Sequence, residues 1–154
     1  MKAEGHSVAA LSSQFEGHQR DVVIDAFRIG QAKVLITTNV LARGIDISSV
    51  SMVVNYDIPD TRVSPRSPLV ADPQTYLHRI GRTGRFGRVG VAVSFVSSRD
   101  DWQKLMDIQK YFKCEIQRLD TSDWDELEEQ VTKIIKSSRA GTNLQGSAQP
   151  IRAL

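Results

Sequence analysis

A single cysteine, Cys114, stands among 154 residues, so no internal disulfide can form and a reducing compartment is the simpler expectation. Aromatic side chains make up only 6% of the chain. No apolar run approaches the roughly 20 residues that cross a bilayer. The segment Met1-Lys2-Ala3-Glu4-Gly5-His6 lacks the apolar stretch of a signal peptide. Secreted and membrane-spanning classes are therefore not expected. An excess of one charge is missing too, since 20 basic residues face 18 acidic ones for a net charge of +2. What is present, 40% hydrophobic and 25% charged residues, suits one soluble domain with its own core.

The placement of charge says more than its sum. From Arg62 to Gly90 the chain holds Arg62, Arg66, Arg79, Arg82, Arg85 and Arg88 against the one acid Asp72. A basic segment built from arginine points to planar, bidentate phosphate contacts. From Glu115 to Gln130 the balance reverses, with seven acids against Arg118 alone. That stretch repels polyanions and suits solvent or a basic partner.

Short apolar runs alternate with helical patterns along the chain. Ser7–Leu11, Lys33–Thr37, Ser51–Tyr56 and Val91–Phe95 read as strands, and Glu115–Leu119 as an edge strand. A helix ending near Gly30 carries the stripe Val22, Ala26 and Ile29 with Val23 and Phe27 beside it. Asp72-Pro73 opens a second helix, as N-cap and first helical position. Ser98 with Asp101 resembles a capping box and opens a third, which carries Trp102, Leu105, Met106 and Phe112. Ser122 or Asp123 caps a last helix with the stripe Trp124, Leu127, Val131, Ile134 and Ile135. The aromatics of both stripes are expected in the core. Asp60 to Val70, rich in proline, reads as an irregular loop, and a mobile tail is expected from about residue 138 to Leu154. The alternation predicts an α/β domain with a mostly parallel sheet, where ligands sit beyond the carboxyl ends of strands, after Thr37, Tyr56 and Phe95.

Three segments carry chemistry. They are Thr37-Thr38-Asn39-Val40-Leu41-Ala42-Arg43-Gly44-Ile45-Asp46, Val54-Asn55-Tyr56-Asp57-Ile58-Pro59 and His78-Arg79-Ile80-Gly81-Arg82-Thr83-Gly84-Arg85. In the last, two arginines three apart share one side of a helical or turning backbone. Gly81 and Gly84 let another surface approach closely. Such guanidinia can neutralise a γ-phosphate during transfer. The alternative is a structural arginine cluster paired with carboxylates.

In order and separation these strings resemble motifs V, Vb and VI of the DEAD-box family of RNA-dependent ATPases, in the second RecA-like domain. The resemblance covers roughly Ser7 to Lys136. It implies a RecA-like three-layer sandwich for residues 1–137. It also implies that Arg82 and Arg85 are arginine fingers, and that Arg43, Gly44, Asp46, His78 and Arg79 serve ATP and the domain interface. Arg20 and Thr38 are implied in binding RNA through sugar and phosphate, without reading bases. Gly17 stands where the family's motif IVa has glutamine, and Ser12-Ser13 replaces an upstream His-Gly.

Ala71–Tyr76, Phe86–Phe95, Ile108–Phe112 and Asp123–Glu128 are similar to the mRNA-export branch of that family. This likeness implies an export activator with inositol hexakisphosphate and a nucleoporin as partners. It also implies a place in cytoplasm and nucleus, at the cytoplasmic face of the nuclear pore. The loop Val63–Leu69 departs from that branch's pattern. The chain holds no Gly-x-x-x-x-Gly-Lys-[Ser/Thr] and no Asp-Glu-Ala-Asp. ATP with Mg2+ is thus expected to be held mainly by an N-terminal RecA-like domain, and this fragment alone to be inactive. The motif IV strand is expected to be missing as well. A non-catalytic docking module, and the same domain of a translation-initiation helicase, are the alternatives.

Overall fold

A computed structural model of the chain describes residues 1–12, 14–39, 50–84 and 90–141. It divides into two compact units, Met1–Ser49 and Val50–Leu154.

The first unit is a strand–helix–strand repeat: β1 (Val8–Leu11), α1 (Gly17–Arg28) and β2 (Val34–Thr37). The strands run parallel, with Val8 opposite Val34 and Leu11 opposite Thr37, and α1 is the crossover such a pair requires. At the entry of α1 the Gln19 side chain accepts from the Glu16 N–H at 3.4 Å, closing a box around the first turn. At its exit Gly30 takes a left-handed φ of +80°, which glycine adopts without strain.

The buried side of α1 is only partly the one expected. Val23, Ile24, Ala26 and Phe27 are half-buried, whereas Val22 and Ile29 are exposed. Residues 22, 26 and 29 have helical spacing, but so do 20, 23, 24 and 27. Two overlapping stripes satisfy the period, and packing favours the second while keeping Ala26 of the first.

The second unit begins with β3 (Met52–Asn55), which pairs in parallel with β6 (Val91–Ser94), Asn55 lying opposite Ser94. Between them run β4 (Asp60–Thr61), β5 (Val70–Ala71) and α2 (Pro73–Ile80), and after them α3 (Arg99–Phe112) and α4 (Trp124–Gly141). The core is Ile58, Tyr76, Ile80, Ala92, Leu105 and Ile108, with Leu77, Phe112 and Ile116 packed against it. Both units show the parallel strand pairs expected of a helicase C-terminal RecA-like fold.

Helix caps follow their sequence signals. Asp72 Oδ1 accepts from the Thr75 N–H at 3.0 Å, and Pro73 holds the first helical position. Ser98 Oγ accepts from the Asp101 N–H at 3.0 Å. The return bond of that box is displaced by one residue, because Asp101 Oδ2 accepts from the N–H and hydroxyl of Ser97. Asp123 Oδ1 accepts from the N–H groups of Asp125 and Glu126.

Three further expectations change. The segment Asp60 to Val70 is no unbroken loop, since Asp60 pairs with Ala71 and Thr61 with Val70 in an antiparallel hairpin. Lys104 pins that hairpin to α3, donating to Asp60 Oδ2 at 2.6 Å and lying 2.8 Å from Asp100 Oδ2. These two carboxylates push the Lys104 ammonium up to about 12. Glu115–Leu119 contributes one isolated bridge residue, Ile116, whose N–H donates to the Gln109 side chain of α3. A backbone donor spent on a side chain cannot extend a ladder.

Trp124, expected in the core, is 76% exposed, and Trp102 is exposed as well. Leu127, Val131 and Ile134 of the same stripe are half-buried. Periodicity identifies residues that share a face, but not where burial of that face stops. Helix α4 runs to Gly141, and the remainder of the expected tail lies outside the described residues. Among the described residues no helix is long and apolar enough to cross a membrane.

Candidate functional site

The carboxyl ends of β3 and β6 meet the last turn of α2, and the residues there form one network. Asn55, the last residue of β3, is 2% exposed. Its Nδ2 donates to Ser94 Oγ at 3.2 Å, and that hydroxyl lies 3.2 Å from Tyr76 Oη. Burial pushes the Tyr76 phenol above its ordinary pKa. Two buried polar side chains and the half-buried Ser94 thus satisfy one another.

Arg79 joins this network from α2. One guanidinium nitrogen donates to the Asp57 carbonyl at 2.8 Å and lies 3.4 Å from Asn55 Oδ1. The other meets Asp57 Oδ2 at 3.0 Å. The Arg79 side chain is only 13% exposed, while that of Asp57 is 71% exposed. The fork of Arg79 therefore ties the end of α2 to the loop after β3. This is the geometry for which arginine, and not lysine, is suited.

Beyond Arg79 the chain turns tightly. The Gly81 N–H donates to the Leu77 carbonyl at 2.8 Å, and both N–H and hydroxyl of Thr83 donate to the Ile80 carbonyl. A Cβ on Gly81 would crowd that same Leu77 carbonyl. Arg82 Nε donates to the His78 carbonyl at 3.2 Å, covering one of the last helix acceptors. Gly84 is left-handed, with φ +70°. Gly90 packs against Gly84 N and the Thr83 side chain so closely that a Cβ has no room.

His78, Arg79 and Arg82 therefore come together on the last turn of α2 and the turn after it. His78 is exposed, and Arg79 and Arg82 are half-buried. Arg79 partly fits the carboxylate-paired alternative, through Asp57. In the first unit, Thr38 is exposed just beyond the carboxyl end of β2, where the Thr37 hydroxyl donates to its carbonyl at 3.2 Å. Arg20 is half-buried on α1, so the two RNA candidates sit on different elements. Arg43, Gly44, Asp46 and Arg85 lie outside the described residues.

Asn55 and Asp57 lie in the second of the three segments that carry chemistry, yet no role for them is read from the sequence alone. The signal was available: an asparagine closing an otherwise apolar strand, and an acid two residues later, within reach of an arginine-rich helix. Lys104 carried no such signal. Its ligands, Asp100 and Asp60, lie four and 44 residues away along the chain.

These features are those of an α/β domain in which a helix ends, through an anchored arginine, at the carboxyl end of a parallel strand pair. The chain belongs to the helicase conserved C-terminal domain family, whose model matches residues 1–87. It is 65% identical over 147 residues to the ATP-dependent RNA helicase DBP5 of Ajellomyces capsulatus, covering 96% of this chain and 30% of that one. It is 66% identical over 140 residues to dbp5 of Aspergillus terreus, covering 91% of this chain and 29% of that one. The chain thus spans about three-tenths of the length of these curated relatives.

Solved structures agree. The C-terminal domain of a Saccharomyces cerevisiae Dbp5 variant, bound to a Gle1 variant and IP6, superposes with a TM-score of 0.77 at 54% identity, over 88% of this chain and 72% of that one. S. cerevisiae Dbp5 bound to RNA and ADP BeF3 gives 0.76 at 56% identity, over 87% of this chain and 33% of that one. A Dbp5 variant with Nup159, a Gle1 variant, IP6 and ADP gives 0.76 at 51% identity, over 88% and 33%.

Proposed function

We propose that the chain is the second RecA-like lobe of an ATP-dependent RNA helicase that remodels RNA–protein complexes in mRNA export. Arg82 and Arg85 enter a nucleotide site formed mainly by the N-terminal lobe and neutralise charge on the transferring γ-phosphate. Fingers of this kind are worth about 10³–10⁵ in rate. Arg43, Gly44, Asp46, His78 and Arg79 serve the nucleotide and the domain interface, while Arg20 and Thr38 hold the RNA sugar–phosphate. In this reading Mg2+ belongs to the N-terminal lobe. Among the described residues of this chain no cluster of three or more His, Cys, Asp or Glu could hold a metal.

The observation that carries the reading is the fixation of Arg79 by Asp57 and Asn55. It ties the end of α2, and with it the backbone of the turn bearing Arg82, to the strand ends, so less of that turn must be reorganised when phosphate arrives. Preorganised charge of this sort is what electrostatic catalysis requires. The partners reported for S. cerevisiae Dbp5 support a Gle1-type activator with inositol hexakisphosphate and a nucleoporin for this protein too. They favour residence at the cytoplasmic face of the nuclear pore.

The test uses the whole protein, with both lobes covalently joined. Arg82→Ala is expected to lower RNA-stimulated ATP turnover by about 10³ while melting temperature stays put. Unchanged turnover would remove Arg82 from the chemistry and leave a docking module as the better account.

A further inference from the structure

The hairpin of β4 and β5 carries a loop, residues 62–69, that the helicase reading leaves without work. Its sequence is Arg62-Val63-Ser64-Pro65-Arg66-Ser67-Pro68-Leu69, two Ser-Pro steps interleaved with two arginines and no acid. The loop is a surface feature: Val63 is 84% exposed, and Ser64, Pro65 and Arg66 are exposed beside it.

The two serines are not equivalent. The Ser67 hydroxyl is engaged twice, donating to the Ser64 carbonyl at 2.9 Å and accepting from the Ser64 N–H at 2.9 Å. With the Ser67 N–H on the same carbonyl at 3.0 Å, residues 64–67 form a β-turn with Pro65 at its favoured second position. The Ser64 hydroxyl takes no part in those bonds. Arg62 curls over the turn, donating to the Pro65 carbonyl at 3.2 Å.

We propose that Ser64 is a phosphorylation site for a proline-directed serine/threonine protein kinase, and that Arg62 and Arg66 hold the resulting phosphate. In the transfer the Ser64 oxygen bonds to the γ-phosphorus of the kinase's ATP, the bond to ADP breaks, and the hydroxyl proton passes to the kinase's base. Pro65 biases Ser64 to the extended conformation. The short turn lies between exposed residues, and such segments open at low cost. A phosphoserine of about −2 charge then lies two residues from each of two arginines, whose combined charge it cancels. Arginine forks, one on each side of Ser64 in the sequence, suit charge-assisted bonds to its oxygens. The loop changes from a basic to a neutral surface.

The natively folded full chain is incubated with ATP and a mitogen-activated or a cyclin-dependent kinase, and phosphate is located by mass spectrometry. Modification is expected at Ser64 at least tenfold faster than at Ser67. Pro65→Ala, which keeps the acceptor, is expected to slow it at least tenfold, and Ser64→Ala to abolish it, both at unchanged melting temperature. In a phosphorus NMR titration the phosphate should show a second pKa below the ordinary value of about 6, rising when Arg62 and Arg66 become glutamine. Preference for Ser67, or phosphate entering only the unfolded chain, overturns the proposal. So does its absence from the loop with both kinases.

Discussion

Arg79 and Asp57 are bound to each other twice, once through the Asp57 carbonyl at 2.8 Å and once through its carboxylate at 3.0 Å. One contact is to backbone and the other to side chain, so removing either residue is not the same experiment. Asp57→Asn retains the backbone acceptor and loses only the charge. It is expected to cost less than about 1 kcal/mol, as exposed ion pairs do. Arg79→Ala removes every contact and strands the buried Asn55 oxygen, at about 1–3 kcal/mol. Arg79→Lys should fall between the two. Denaturant unfolding of the three variants gives the order, and an Asp57→Asn cost equal to that of Arg79→Ala would contradict it.

Gly90 and Gly17 should respond in opposite ways to the same change. A Cβ at position 90 meets Thr83 and the backbone of Gly84, whereas at position 17 it meets nothing within 4 Å. Gly90→Ala is expected to destabilise by about 1–3 kcal/mol through overpacking. Gly17→Ala, at the first position of α1, should be neutral or gain up to about 1 kcal/mol from the unfolded state. Thermal melts of both variants test the contrast.

Lys104 makes stability depend on alkaline pH. Its pKa is raised in the folded protein to about 12, above the unfolded value near 10.4. A group raised on folding contributes fully below its unfolded pKa, and that contribution disappears as pH rises through the folded one. Stability from this cluster should therefore hold to about pH 10 and fall between there and 12. Lys104→Met leaves two carboxylates unpaired and should cost about 1–3 kcal/mol at neutral pH. It should also flatten this alkaline decline relative to the native protein. An unaltered decline in the variant would assign the pH dependence to other groups.

Tyr76→Phe removes one hydroxyl from a network whose other members remain bonded, because Asn55 still donates to Ser94. The expected cost is about 1 kcal/mol. Asn55→Leu removes the amide donor to Ser94, leaving that hydroxyl only Tyr76, and removes an acceptor that faces Arg79, and should cost more. Urea midpoints at constant slope would report both, and a larger loss for Tyr76→Phe would reverse the order.

Much of this could be read along the chain because it is local. Asp72-Pro73 and Ser98 cap helices through atoms within three residues of themselves, so a short window contains both partners. The strands Val8–Leu11, Val34–Thr37, Met52–Asn55 and Val91–Ser94 were visible as compact apolar runs between turn signals. The clustering of His78, Arg79 and Arg82 likewise follows from their spacing on one helix and the turn after it.

Other features needed the tertiary structure, since their causes lie far apart in sequence. Which stripe of α1 turns inward depends on the strands it packs against, not on its period. The Asp60–Ala71 hairpin lies within a proline-rich stretch whose local preferences gave no sign of pairing. The clamp on Arg79 joins residues 22 to 24 positions apart, and the Lys104–Asp60 bridge spans 44. By itself the sequence determined which residues are basic, which cap helices and which can form strands, because those properties reside in single side chains and their near neighbours. Only folding decided which arginine is anchored and which carboxylate anchors it, because a salt bridge between distant segments exists only once the backbone has brought them together.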